Sequence, residues 1–160
     1  MHLETSHKPI DILLVEDSPT DVLMAKVAFE SAKLLHHLHV VENGEQALAF
    51  LRQEGTYTNA PRPAIILLDL NLPRKDGREV LAEVKADDQL KVIPVVVLTT
   101  SKAEEDILKS YGLHANCYIT KPMDFSGFTE VIQSIEHFWF SIVTLPPEEM
   151  PWMIPPSTRC

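Results

Sequence analysis

Three continuously apolar runs of strand length recur along this 160-residue chain: "IDILLV" at 10–15, "AIILL" at 64–68 and "VVVL" at 95–98. Strands without polar alternation are buried on both faces, which is the property of a parallel sheet covered by helices on each side. Weaker runs at 38–41 and 116–120 supply two further strands. Between the runs lie segments of helical period. "SPTDVLMAKVAFESAKLL" opens with Ser18 as an N-cap and Pro19 at the first helical position, and Val22, Ala25, Phe29 and Ala32 then share one face. Further helices are predicted over 44–53, 76–86, 103–111 and 125–139. Strand followed by helix, five times, predicts a doubly wound α/β domain with a five-stranded parallel sheet. "EGTYTNAPRP", before the third strand, reads as a surface loop. From Pro146 onward, five prolines in fifteen residues exclude a helix.

The apolar runs end in acids. Glu16 and Asp17 follow the first strand, and Asp69 follows the third. In open parallel α/β sheets, ligands bind outside the carboxyl ends of the strands, where the winding changes direction. If the first and third strands are neighbours, three carboxylates converge there, and a hard divalent cation such as Mg²⁺ offsets their repulsion. Acids at strand ends can also serve merely as helix caps, and Asp17 taken alone is equally well explained that way. Taken together at matching tips, they point to a site. Thr99 ends the fourth strand and Lys121 the fifth, so four strand ends supply acids, a hydroxyl and an ammonium. That set fits phosphoryl transfer, with an acid nucleophile, a metal, and donors for the phosphoryl oxygens.

With the acidic pair at 16–17, "DLNLPRKDG" at 69–77, Thr99 and "KP" at 121–122, the chain resembles the receiver domains of two-component response regulators over about residues 8 to 138. The resemblance implies the strand order 2-1-3-4-5. It implies that Asp69 is the phosphoacceptor, and that Glu16, Asp17, Asp69 and the backbone carbonyl of Asn71 hold Mg²⁺ or another divalent ion such as Mn²⁺. It further implies that Thr99 and Lys121 bind the phosphoryl group, that Pro122 follows a cis bond, and that Tyr118 reports the switch by its pose. Pro73 and Gly77 shape the loop after Asp69. Thr100 departs from the small residue usual in the family, while Asn71 and Ser101 resemble positions that tune dephosphorylation.

The chain ends in "HFWFSIVTLPPEEM" and the Pro-rich segment after it, so residues 139–160 read as an apolar arm with no room for an output domain. With the "EGTYTN" insertion, this resembles the response regulators of cyanobacterial phytochromes and bacteriophytochromes, which implies a light-sensing histidine kinase as partner. Phe138, Trp139 and Phe140 are consecutive, so a helix cannot aim all three at its own core. Together with Ile142, Val143 and Leu145 they predict a homodimer built by the fourth helix, fifth strand, fifth helix and the tail, each tail lying across the other subunit. The alternative is a tail folded back on its own domain.

Other function classes fit less well. A net charge of −9 without clustered Lys and Arg argues against nucleic acid. No apolar leader or membrane-length run is present, which predicts a cytoplasmic protein. Cys117 and Cys160 show no metal or redox spacing. "HHLH" at 36–39, placed at a helix end and strand start, lacks the spacing of a metal site. A haloacid-dehalogenase-type phosphohydrolase wants its nucleophile on the first strand and a second acid two residues on, where position 71 is Asn. A nucleotide-binding module would need a glycine-rich cradle, and none occurs. A phosphorylation-independent docking module would not need all five site side chains. The expected protein is therefore no metabolic enzyme, and its only chemistry is its own phosphorylation and dephosphorylation.

Overall fold

A computed structural model describes residues 9–32, 35–99, 102–110, 112–121 and 125–144. For Ser110, Phe125 and 138–144 it describes the backbone alone. Five strands, β1 (Ile10–Val15), β2 (His36–Val41), β3 (Ile65–Asp69), β4 (Val95–Thr99) and β5 (Cys117–Thr120), form one sheet in the order β2-β1-β3-β4-β5. All four pairings are parallel, as the apolar runs require. The helices are α1 (Pro19–Glu30), α2 (Gly44–Arg52), α3 (Gly77–Ala86), α4 (Lys102–Ser110) and α5 (Phe125–Thr144).

The two faces of the sheet bury separate cores. Leu13, Val15, Ile66, Leu68, Val95 and Val97 meet α2, α3 and α4, while Ile12, Leu14, Ile65, Leu67 and Val96 meet α1 and α5. Alternate residues of one strand thus serve opposite cores, so β1, β3 and β4 carry no polar alternation. Side chains stop the helices from fraying at their starts. Ser18 accepts from Asp21 N at 3.3 Å, Asn43 from Gln46 N at 2.8 Å, and Asp76 forms a reciprocal capping box with Glu79.

Most element ends lie within one residue of the sequence reading, and four larger differences stand out. α1 stops at Glu30, and "HHLH" lies wholly on β2, because Ile10, Asp11, Ile12 and Leu13 of β1 pair with residues 36–39 in register. There His39 Nε2 meets Asp11 Oδ1 at 2.9 Å and its ring lies 5.4 Å from Phe50. The loop at 54–63 contains a 3₁₀ turn over Gly55–Tyr57, and Tyr57 packs on the core with its ring 5.5 Å from Phe50. α5 runs five residues past its expected end at 139, so positions 142 and 143 are helical. Pro122, Thr100, Ser101, Leu145 and the Pro-rich segment fall outside the described residues. Among the described residues, no helix is long and apolar enough to cross a membrane.

Candidate functional site

The carboxyl end of the sheet is built by register. Val15 pairs with Leu68 and Asp69 with Leu98, so the residues following β1 arrive beside the tip of β3. Lys121 is brought across by Thr99 pairing with Thr120 and by its own N–H donating to the Thr99 carbonyl at 2.6 Å. The chain turns to β2 on one side of β1 and to β3 on the other, which makes this the switch point where ligands bind.

Ligating oxygens of Glu16, Asp17 and Asp69 lie within 4.8 Å of one another. Among the described residues this is the only such group of three metal-ligating side chains. Glu16 and Asp69 are buried at 1% and 2% exposure, whereas Asp17 is exposed, so the cluster has a dry floor and one face open to water. Lys121 Nζ reaches Glu16 Oε2 and Asp21 Oδ2 at 2.8 Å each, and Asp69 Oδ2 at 3.3 Å. Thr99 is buried at the tip of β4. Asn71 donates its N–H to Asp69 Oδ1 at 3.3 Å, and its side chain donates to Glu104 at 3.4 Å.

The loop after Asp69 is held from outside. Gly77 donates its N–H to the Leu70 carbonyl at 3.0 Å, and a Cβ at 77 would overlap the Asp69 carbonyl and Leu70 Cα. Only glycine allows that approach, which sets the turn that starts α3. Arg74, at φ 65°, pairs with Glu45 at the start of α2. Tyr118 sits with its ring inward at 5% exposure. Its hydroxyl donates to the Leu113 carbonyl at 3.1 Å and accepts from Ala115 N at 2.8 Å, which pins the segment between α4 and β5. Lys109 Nζ stands 5.0 Å from the ring centroid.

Electrostatics follow from this packing. Burial pushes the Glu16 carboxyl up from 4.5 to about 7; the hydrogen bond from Lys121 opposes the shift and the Asp69 charge adds to it. Burial alone would lower the Lys121 ammonium, but hydrogen bonds to Asp21 and Glu16 and the Asp69 charge outweigh it and hold the ammonium above its usual range. The folded chain therefore binds the Glu16 proton more tightly than the unfolded chain. Glu16 contributes its stability below pH 4.5 and loses it as pH climbs to about 7.

All-oxygen donors, one of them solvated, fit a hard divalent cation rather than a softer metal. A cation bound through Glu16 below neutrality must displace its proton. If the cluster holds a divalent cation through Glu16, the affinity measured by calorimetry is expected to fall as pH drops below about 7, by up to about tenfold per unit. Equal affinities at pH 6 and pH 8 would remove Glu16 from the ligand set.

The structure brings together Glu16, Asp17, Asp69, Thr99 and Lys121 at one end of the sheet, with Asn71 in the loop after Asp69 and Tyr118 on β5, three residues before Lys121. Asp21 escaped the sequence reading. An acid three residues after an N-cap serine looks like the far half of a capping box, and only the pairing of β1 with β3 and the placement of Lys121 reveal its partner.

Over residues 12–133 the sequence matches the response regulator receiver domain. It is 51% identical over 143 residues to the response regulator Rcp1 of Synechocystis sp., covering 89% of this chain and 97% of that protein. The crystal structure of the phosphorylated cyanobacterial phytochrome response regulator RcpA superposes with a TM-score of 0.77 at 52% identity, covering 87% of this chain and 99% of that one. The Mn²⁺-bound form of Rcp1 superposes with a TM-score of 0.76, also at 52% identity, covering 86% of this chain and 99% of that one.

Proposed function

The chain belongs to the response regulator receiver family, and from that premise we propose that it accepts a phosphoryl group on Asp69 from a phytochrome-type sensor histidine kinase in the cytoplasm. The observation that carries this reading is the convergence of Glu16, Asp17 and Asp69 with Lys121 at the switch point of the sheet. Asp69 forms a bond to phosphorus as the bond from phosphorus to the kinase's histidine nitrogen breaks. Burial keeps bulk water from the attacking carboxylate, and the N–H of Asn71 holds its other oxygen in place. Lys121 and the Thr99 hydroxyl supply donors to the phosphoryl oxygens. Glu16, Asp17, Asp69 and the carbonyl of Asn71 are the residues that would hold Mg²⁺, with Mn²⁺ as a substitute. Bound there, the ion would neutralise the charge that builds on the transferring group. Thr99 shifts toward the new phosphoryl group, and the inward Tyr118 ring responds, altering the surface that partners read. Incubation with acetyl phosphate and Mg²⁺ is expected to add the mass of one phosphoryl group per chain; a chain that gains none in the presence of Mg²⁺ is not a phosphoacceptor.

In the same reading, residues 8–138 form the receiver and the segment after it pairs two copies. Phe128, Ile132 and Ile135 are the core-facing positions of α5. Positions 139 and 142 continue that period, while 138 and 140 fall off it, so one helix face does not take all three consecutive aromatics. Each aromatic can bury some 150–250 Å² against a partner. Sedimentation at micromolar concentration is expected to show a dimer, and deletion after residue 137 a monomer or an aggregating chain. A full chain that sediments as a monomer with and without phosphorylation would remove the dimer from the proposal.

A further inference from the structure

Lys121 has three N–H donors, and three different carboxylates occupy its surroundings. Two of them belong to the acid cluster. The third, Asp21, comes from the first turn of α1 and has no place in the transfer chemistry described above. Its orientation has a local cause. At the third helical position after a serine cap, an acid ordinarily reaches back to the backbone N–H of the cap residue. Here that N–H, on Ser18, is already donated to Glu16 Oε1 at 3.1 Å. Ser18 Oγ still accepts from Asp21 N, so the helix is capped in one direction only. The Asp21 carboxylate is left over, and it lies 2.8 Å from the Lys121 ammonium.

We propose that Asp21 is a positioning residue that holds Lys121 in the resting state and restrains its move to the phosphoryl group when Asp69 is phosphorylated. The inference rests on the reading of Asp69 as phosphoacceptor. A phosphoryl group brings three strong acceptor oxygens and, because an aspartyl phosphate of about −2 replaces a carboxylate of −1, adds about −1 of charge to a site already rich in carboxylates. The Asp69 contact, the longest at 3.3 Å, lies on the oxygen that takes the phosphoryl group. It is the one given up as the ammonium turns to a phosphoryl oxygen, and the contacts to Glu16 and Asp21 restrain that turn. Glu16, buried at 1% exposure, stays fixed beside the divalent cation it would help to hold. Asp21, 20% exposed at its side chain, can be taken up by water instead. Asp21 thus sets how readily Lys121 becomes available, and its charge adds to the repulsion that an incoming phosphodonor meets. A carboxylate that served the helix alone would do neither.

The test compares Asp21→Asn and Asp21→Glu with the wild-type chain, each with Mg²⁺ at a concentration shown by titration to saturate that variant. The rate of labelling by acetyl phosphate is expected to rise about five- to tenfold in Asp21→Asn, the scale of losing one partly buried ionic contact. Asp21→Glu, which keeps the charge, is expected within about twofold of wild type. An unchanged or slower rate in Asp21→Asn overturns the proposal, whatever happens to helix stability. A second readout needs no phosphorylation. The Lys121 ammonium, held by three carboxylates, is expected to give a slowly exchanging side-chain ¹⁵N signal in the resting wild type and to lose it in Asp21→Asn. If that signal persists unaltered in the variant, Asp21 does not hold Lys121. If the wild type takes no phosphoryl group at all, the reading of Asp69 fails by itself, and this signal alone decides the pairing.

Discussion

Asp69→Asn is expected to take up no phosphoryl group from acetyl phosphate under conditions that label the wild-type chain fully. The amide nitrogen that replaces one carboxylate oxygen has its lone pair delocalised into the carbonyl and cannot attack phosphorus, while the shape of the side chain is kept. The fold has reason to survive. Asp69 is buried beside Glu16 and Asp17, so removing its charge relieves repulsion between like groups, and Lys121 keeps its contacts with Glu16 and Asp21. Without divalent cation, the variant is expected to melt at or above the wild-type temperature, by an amount on the order of 1 kcal/mol. The Glu16 carboxyl, which the Asp69 charge helps to raise, should titrate closer to its ordinary range. Intact mass after labelling checks the first expectation, and thermal unfolding with a chelator present checks the second. Full labelling of a folded Asp69→Asn chain would place the nucleophile elsewhere.

The strands that face two cores were the legible part of this fold. Ile10–Val15, Ile65–Asp69 and Val95–Thr99 announce themselves because every residue in them is apolar up to the tip, apart from Asp11. β2 was harder to delimit. It lies at the sheet edge and is only half covered, so His36, His37 and His39 stand where a central strand would carry apolar residues. Its start is set by pairing with β1, a long-range contact that no local pattern encodes. The same holds for the loop at 54–63. Tyr57 anchors it through a ring contact with Phe50 of α2, and composition alone gives a polar loop. The acids of the site were legible because a carboxylate at the end of an apolar run has no packing role. Asp21 was not, because at a helix start an acid already has one.

Lys121→Ala is expected to be the substitution with the largest effect on the metal-free chain, and the effect should grow with pH. One ammonium stands against Glu16, Asp21 and Asp69, at 2.8, 2.8 and 3.3 Å. Truncating it leaves buried carboxylates with no cation beside them, which typically costs about 3–5 kcal/mol when both partners were buried and less when one can be rehydrated. With Lys121 18% exposed, about 2–4 kcal/mol is the expected loss in urea unfolding at pH 8 with a chelator present. The sign of the pH dependence follows from Glu16. Its folded pKa already stands near 7 against an ordinary 4.5, and the hydrogen bond from Lys121 is among the effects that lower it. Removing Lys121 raises it further. The folded variant then holds the Glu16 proton over a wider range, so stability is retained at low pH and lost as pH rises through and beyond about 7. At pH 6 the deficit against wild type should therefore be smaller than at pH 8. In the proposed reading Mg²⁺ would bind the folded chain at the same oxygens and restore positive charge there, so it should recover most of the loss at pH 8. It cannot restore the donor that follows the phosphoryl oxygens. The Mg²⁺-loaded variant should accept phosphate on Asp69 yet show no phosphorylation-dependent change in partner affinity. Equal stability of Lys121→Ala and wild type at pH 8 in chelator would mean that the three contacts contribute nothing net. A wild-type affinity change on phosphorylation would mean that the ammonium has no part in transmitting the signal.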